Sequence, residues 1–182
     1  MTEAPGPVIV VAGPSGVGKT TVSKLLAENF DPSAHIDTDV FLYAVVNGLV
    51  EPSSEKAQQQ NEIIGGAVGA AALEFAAGGY SVVLDGDFFP DGVQGLARWA
   101  SRSRVEVHYV VLRADFDTCL RRVQQRRAGD PESVEAFRLL HSRFEDVSPF
   151  EANVFDSGEP PEHIAAAALN AFSAGRLLVR GD

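Results

Sequence analysis

"GPSGVGKT" occupies residues 13–20 and follows the apolar run "VIVVA" at 8–12. Gly13, Gly18, Lys19 and Thr20 satisfy the pattern G-x-x-x-x-G-K-[ST], between an apolar strand and the start of a helix, the context this pattern requires. Glycines let backbone N–H groups curl around phosphate oxygens, and a helix start adds partial positive charge. Residues Gly13, Pro14, Ser15, Gly16, Val17 and Gly18, with Lys19, Thr20 and Thr21 opening the helix, therefore read as a cradle for nucleotide phosphates. Lys19 would reach the outer phosphates and the Thr20 hydroxyl would join the shell of a magnesium ion. The competing reading is a glycine-rich turn without a ligand.

Outward from that turn, short apolar runs alternate with helical patterns. "VIVVA" (8–12), "AHI" (34–36), "SVVL" (81–84), "VEVHYVVL" (105–112) and "NVF" (153–155) read as strands. Most are too uniformly apolar to have one wet face, which suits a parallel sheet covered on both sides. Between them Val22, Leu25, Leu26 and Phe30 fall on one helical face, as do Phe116, Cys119, Leu120 and Val123, and again Ile164, Ala168, Ala171 and Phe172. The segment from about 54 to 77 also reads as helical, although Pro52 and the glycines of "GGAVGA" argue against one unbroken helix. The alternation implies a doubly wound α/β domain with ligands at the carboxyl ends of the strands. The first residues and the final "VRGD" read as loose ends.

A chain of 182 residues with 45% apolar residues suits one domain with a single core. No apolar run is long enough to cross a bilayer, and no basic segment precedes the first apolar run, so a cytoplasmic location without membrane association is expected. The single cysteine, Cys119, excludes an intrachain disulfide or a multi-cysteine metal cage, and it lies on the apolar face of its helix. The four histidines show no metal-ligand spacing. A formal net charge of −10 disfavours nucleic acid as a partner. The charge is unevenly spread. Between Lys24 and Arg98 the only Lys or Arg is Lys56, whereas such residues gather between Arg113 and Arg127.

Asp85 ends the strand in "SVVLDGD", where a carboxylate holds magnesium; the alternative is a strand-ending aspartate that starts a turn. Gly86 stands where motor-type ATPases place a water-activating glutamate, and "NVFD" (153–156) lacks the lysine of the guanine-reading N-K-x-D. Both features point away from hydrolysis and toward an acceptor other than water.

With these motifs in order, the chain resembles the small P-loop kinases that phosphorylate metabolites or antibiotics, the gluconate kinase, shikimate kinase and chloramphenicol phosphotransferase group. The resemblance spans about residues 7–173 and rests on "GPSGVGKT", "HIDTD", "VVLDGDFF", "LRADFDTCLRRVQQRR" and "NVFDSGEPPEHIAAA". It implies a three-layer P-loop fold with a five-stranded parallel sheet flanked by helices. It also implies an acceptor-covering helical segment at about 38–77 and an arginine-rich lid at about 124–134, all within one kinase domain. ATP and Mg2+ would be the cofactors, with Thr20 and Asp85 on the metal. An aspartate after the second strand would hold the acceptor hydroxyl or take its proton, and Asp37 and Asp39 are the candidates. Two residues apart, they share a side if the chain stays extended. Alternatively Thr38 or Asp39 caps a helix over 40–48. Asp87, Phe88 and Phe89 would line the acceptor pocket, although core packing accounts for either phenylalanine equally well. By the same resemblance Arg122 would stack on adenine, and Arg126 or Arg127 would close over the transferring phosphoryl group.

The shikimate kinases' glycine triplet and carboxylate-binding arginines are absent, and so are the arginines that nucleoside monophosphate kinases use for an acceptor phosphate. A pocket walled by Asp37, Asp39, Asp87 and either Glu55 or Glu62 would repel anions. The expected acceptor is therefore a neutral or cationic hydroxyl compound: a metabolite, sugar, nucleoside or antibiotic. The other readings are a nucleoside or nucleotide kinase and a non-catalytic ATP-binding regulatory module. The sequence leaves monomer and homodimer open.

Overall fold

The computed structural model describes residues 4–126 and 134–181. The first strand, β1 (Val8–Ala12), is buried along its whole length and forms the middle of the sheet. The helix α1 (Lys19–Ala27) follows the glycine turn, and β2 (Ser33–Asp37), α2 (Asp39–Leu42), a 3-10 turn (Glu55–Ala57) and α3 (Gln58–Ala77) come next. The chain continues through β3 (Ser81–Gly86), α4 (Pro90–Ser101), β4 (Val107–Arg113), α5 (Phe116–Arg126), α6 (Val134–Ser142), a second 3-10 turn (Glu151–Asn153), β5 (Val154–Asp156), α7 (Pro161–Ser173) and β6 (Leu178–Val179).

Five parallel strands lie in the order β2-β3-β1-β4-β5. Alternate residues of β1 feed two separate cores. Val8, Val10 and Ala12 pack with α3, α4, Phe144 and Val147 on one face. Ile9 and Val11 pack with α1, α7, Cys119 and Phe137 on the other. Two-sided burial is why the strands read as continuous apolar runs rather than as an alternating pattern. Connections leave β1 and β3 toward opposite edges of the sheet, which opens a crevice at the carboxyl end of β1, where ligands of such sheets bind.

Three features differ from the sequence reading. First, α3 is one uninterrupted helix of 20 residues despite its glycines. Gly69 lies beneath the Trp99 ring, where an added Cβ would stand 2.6 Å from a ring carbon, so this glycine serves helix-to-helix contact rather than a break. Second, the helix expected over 40–48 ends at Leu42. Third, the terminal "VRGD" is not wholly loose. Val179 is buried and pairs with Val107, so β6 runs antiparallel along the first part of β4 while β5 takes the last part. Among the described residues no helix is long and apolar enough to cross a membrane.

Candidate active site

The glycine turn leaves β1 at Ala12 and enters α1 through Gly18, whose left-handed backbone precedes the first helical turn. Gly16, with φ +79°, sits tightly against α5. A Cβ there would stand 2.5 Å from the Cys119 carbonyl oxygen, so α5 packs directly on the turn. That packing fixes the curvature of the loop, and a turn of this shape suits an anion.

Lys19 does not extend into solvent. Its ammonium donates to the carbonyls of Gly13 (2.8 Å) and Pro14 (3.4 Å) and forms an ion pair with Asp87 at 2.9 Å. Asp87 belongs to the segment after β3, so one contact joins Lys19 of the glycine turn to the aspartate-rich region. Asp37 and Asp85 are register partners at the ends of β2 and β3. The extended-chain placement of Asp37 and Asp39 does not hold. The chain turns at Thr38, and the Asp39 N–H donates to Asp37 Oδ1 at 2.9 Å. The capping acceptor is thus Asp37, since no side-chain cap comes from Thr38. A turn forms because a short carboxylate two residues upstream satisfies an otherwise orphaned helical N–H. Asp39's own carboxylate keeps no hydrogen-bond partner among the described residues. Burial on its inner side raises its pKa above the ordinary aspartate value, and the negative charges of Asp37, Asp87 and Asp85 add to this while Lys19 opposes.

Asp85 is only 3% exposed. Among the described residues no lysine or arginine pairs with it; His35 Nε2 lies 3.0 Å from its Oδ2. A buried carboxylate without a permanent cationic partner is suited to a metal cation. Among the described residues no group of three or more His, Cys, Asp or Glu side chains forms a metal cage. This donor set fits magnesium, which takes one or two protein oxygens and completes its shell with phosphate and water. Thr20, in the first turn of α1, has a hydroxyl that no hydrogen bond engages among the described residues, and it is the second candidate donor. Gly86 next to Asp85 has its open side filled by Thr38, whose amide donates to the Asp85 carbonyl at 3.0 Å. No glutamate fits at that position.

On the opposite side of the turn, the Arg122 guanidinium lies within 3.3–3.4 Å of the Gly16 and Val17 carbonyls and the Ser157 hydroxyl. Ser157 is buried and donates to the Val17 carbonyl. Arg122 therefore braces the turn against the loop after β5. The backbone of Arg126 closes α5, while its side chain, Arg127 and most of the expected lid lie outside the described residues, as does the Glu55 side chain. Glu62 is exposed and accepts a hydrogen bond from Gln58. Phe88 and Phe89 both pack against the core; Phe89 meets Phe144 with ring centroids 4.8 Å apart.

Sequence reading missed four residues here: His35, Tyr109, Arg143 and Ser157. Tyr109 is fully buried in β4 and donates from its hydroxyl to the Phe88 carbonyl at 2.7 Å, tethering the segment that carries Asp87. Burial pushes its phenol well above the usual range, so it stays a donor. The Arg143 guanidinium carbon stands 3.4 Å from the Phe89 ring centroid, a cation–π contact. These contacts are long-range, and only for Ser157 was there a signal, its place in the stretch "NVFDSGEPPEHIAAA" on which the kinase resemblance rests. A recess of about 480 Å3 adjoins the turn at Pro14 and is bounded by Arg113, His141 and Phe144, but Lys19, Asp37, Asp39, Asp85 and Asp87 do not line it.

A sequence profile described as "AAA domain" matches residues 8–146. No curated protein sequence matches the chain significantly. Among solved structures, a sugar kinase from Janibacter sp. HTCC2649 superposes with a TM-score of 0.69 at 19% identity, covering 94% of this chain and 97% of its own. The tunicamycin resistance protein of Deinococcus radiodurans gives 0.63 at 20% identity, covering 96% and 98%. A gluconokinase from Sinorhizobium meliloti 1021 gives 0.59 at 20% identity, covering 94% and 95%. The profile spans most of the chain and includes the glycine turn, β3 and the braced arginine of α5. The chain thus belongs to the AAA domain family, with the fold of the small-molecule P-loop kinases.

Proposed function

We propose that the protein is an ATP-dependent phosphotransferase that moves the γ-phosphate to a hydroxyl of a neutral or cationic small molecule. The observation that supports this best is the Lys19–Asp87 ion pair, because it sets the phosphate grip directly against four clustered carboxylates. A hydrolase needs a placed water-activating group, and Gly86 stands beside Asp85 where a glutamate would supply one, whereas the clustered carboxylates would orient an alcohol. In this reading the glycine turn and Lys19 bind the triphosphate, and Thr20 and Asp85 hold magnesium. The ion, when bound, neutralises charge on the phosphate oxygens as the phosphoryl group transfers. Asp39 is the better candidate for accepting the hydroxyl proton, since its carboxylate is free and its pKa is raised toward the working pH. Asp37 is occupied in capping α2 and shapes the pocket.

The acceptor class follows from charge. Three arginines at this end of the sheet are already engaged: Arg113 forks onto Glu151, Arg122 braces the turn and Arg143 lies over Phe89. None is free to meet an acceptor carboxylate or phosphate. By the kinase resemblance alone, Arg126 or Arg127 would close over the phosphoryl group. The test is ADP release from ATP and Mg2+ across a panel of sugars, nucleosides, aminoglycoside-type amino alcohols, sugar phosphates and hydroxy acids. Turnover restricted to the phosphates and acids would refute the charge argument. Tight binding of ATP with no acceptor-dependent ADP release would favour a nucleotide-sensing module instead.

A further inference from the structure

We propose that His35 is the positioning residue for Asp85, the carboxylate that would hold magnesium. His35 lies opposite Val83 in the β2–β3 register, and Asp37 lies opposite Asp85, so His35 and Asp85 are diagonal neighbours on adjacent parallel strands. Their side chains meet at 3.0 Å. A carboxylate oxygen only accepts, so His35 Nε2 carries the proton and donates to Oδ2. Among the described residues this is the sole side-chain hydrogen bond to Asp85.

The consequence is directional. With Oδ2 pinned by the ring and the Asp85 carbonyl held by the Thr38 amide, the carboxylate has little rotational freedom. Oδ1 is left unengaged within a pocket that excludes most solvent. Hydrogen bonds to metal-ligating groups fix their orientation, and losing one costs about 10–100-fold in metal affinity. An apolar side chain would satisfy packing at position 35, where the neighbouring Ile36 turns into the other core. A donor at this position is explained by the carboxylate it reaches. The proposal rests on Asp85 being the metal carboxylate, so the experiment must separate the two ideas.

Binding of ADP to the full chain is measured calorimetrically at stepped Mg2+ concentrations for the wild type, H35F, H35Q, H35N and D85N, with thermal midpoints in the absence of metal as the folding control. H35F is expected to raise the Mg2+ needed for half-maximal tightening about 10–100-fold and to leave metal-free ADP affinity unchanged. H35Q, whose amide N–H replaces Nε2–H, should recover most of that loss. H35N is one methylene too short to reach and should not. If H35F does not fold, the contrast between H35Q and H35N carries the test. Equal Mg2+ dependence of H35F and wild type, or of H35Q and H35N, overturns the role of His35. An unchanged Mg2+ dependence in D85N overturns the metal reading of Asp85 itself, whereas a loss in D85N alone overturns only His35.

Discussion

Replacing Asp87 by asparagine is expected to tighten ATP binding while slowing phosphoryl transfer. Lys19 is shared between the Asp87 carboxylate and two turn carbonyls, so a triphosphate must compete for the ammonium. Asp87 is 39% exposed, which places the pair among partly solvated ion pairs that contribute about 0.2–1 kcal/mol. Removing that competition corresponds to roughly one-and-a-half- to fivefold tighter binding. Loss of one negative charge facing the phosphates acts in the same direction, more strongly at low salt. Kd for ATP is read by calorimetry at 50 and 300 mM salt, beside acceptor KM and kcat. Transfer should suffer because the same carboxylate borders the acceptor pocket. If D87N binds ATP more weakly than wild type, the ion pair is not a competitor, and Asp87 acts as a metal or nucleotide ligand instead.

Four further outcomes follow from the geometry. G16A should lower the thermal midpoint by about 4–10 °C, from roughly 2 kcal/mol or more of left-handed strain and a clash with the Cys119 carbonyl. G18A, with only Ser157 Oγ at 3.9 Å from its added Cβ, carries the conformational cost alone and should lose about half as much in the same melting experiment. D39N should raise the midpoint by about 1–2 °C and cut turnover, because it removes one of four clustered negative charges from the site. Burial holds His108 below its usual pKa, with Glu106 only partly opposing. The unfolded chain then takes up a proton that the folded chain refuses, so stability is retained above about pH 6.5 and declines as pH falls below it. Denaturant titrations from pH 8 to 5 should show this slope in the wild type and a flatter one in H108F.

The glycine turn was legible because its pattern is local: eight consecutive residues carry glycines, lysine and threonine in one frame. The strands were legible because burial on both faces leaves unbroken apolar runs such as Val8–Ala12. Asp85 stood out by its position at a strand end. His35 did not, because its meaning comes from a residue fifty positions away on the neighbouring strand. Tyr109 and Arg143 are of the same kind, each defined by a partner in the Phe88–Phe89 segment. The turn between Asp37 and Asp39 depended on a hydrogen bond that competes with strand extension, and spacing alone does not choose between them. Strand β6 was missed because a two-residue strand has no period to detect.

The division of the β4 edge has a practical consequence. Leu177 accepts from the Tyr109 amide, and Leu178–Val179 pair with Val107–His108, so a few residues near the carboxyl end cover a hydrogen-bonding margin that would otherwise lie bare. Trimming the protein after Ser173 would uncover unpaired amides beside the apolar rows of Val107 and Tyr109. Bare margins of this kind recruit strands from other molecules, so the trimmed protein should self-associate even with its nucleotide turn intact.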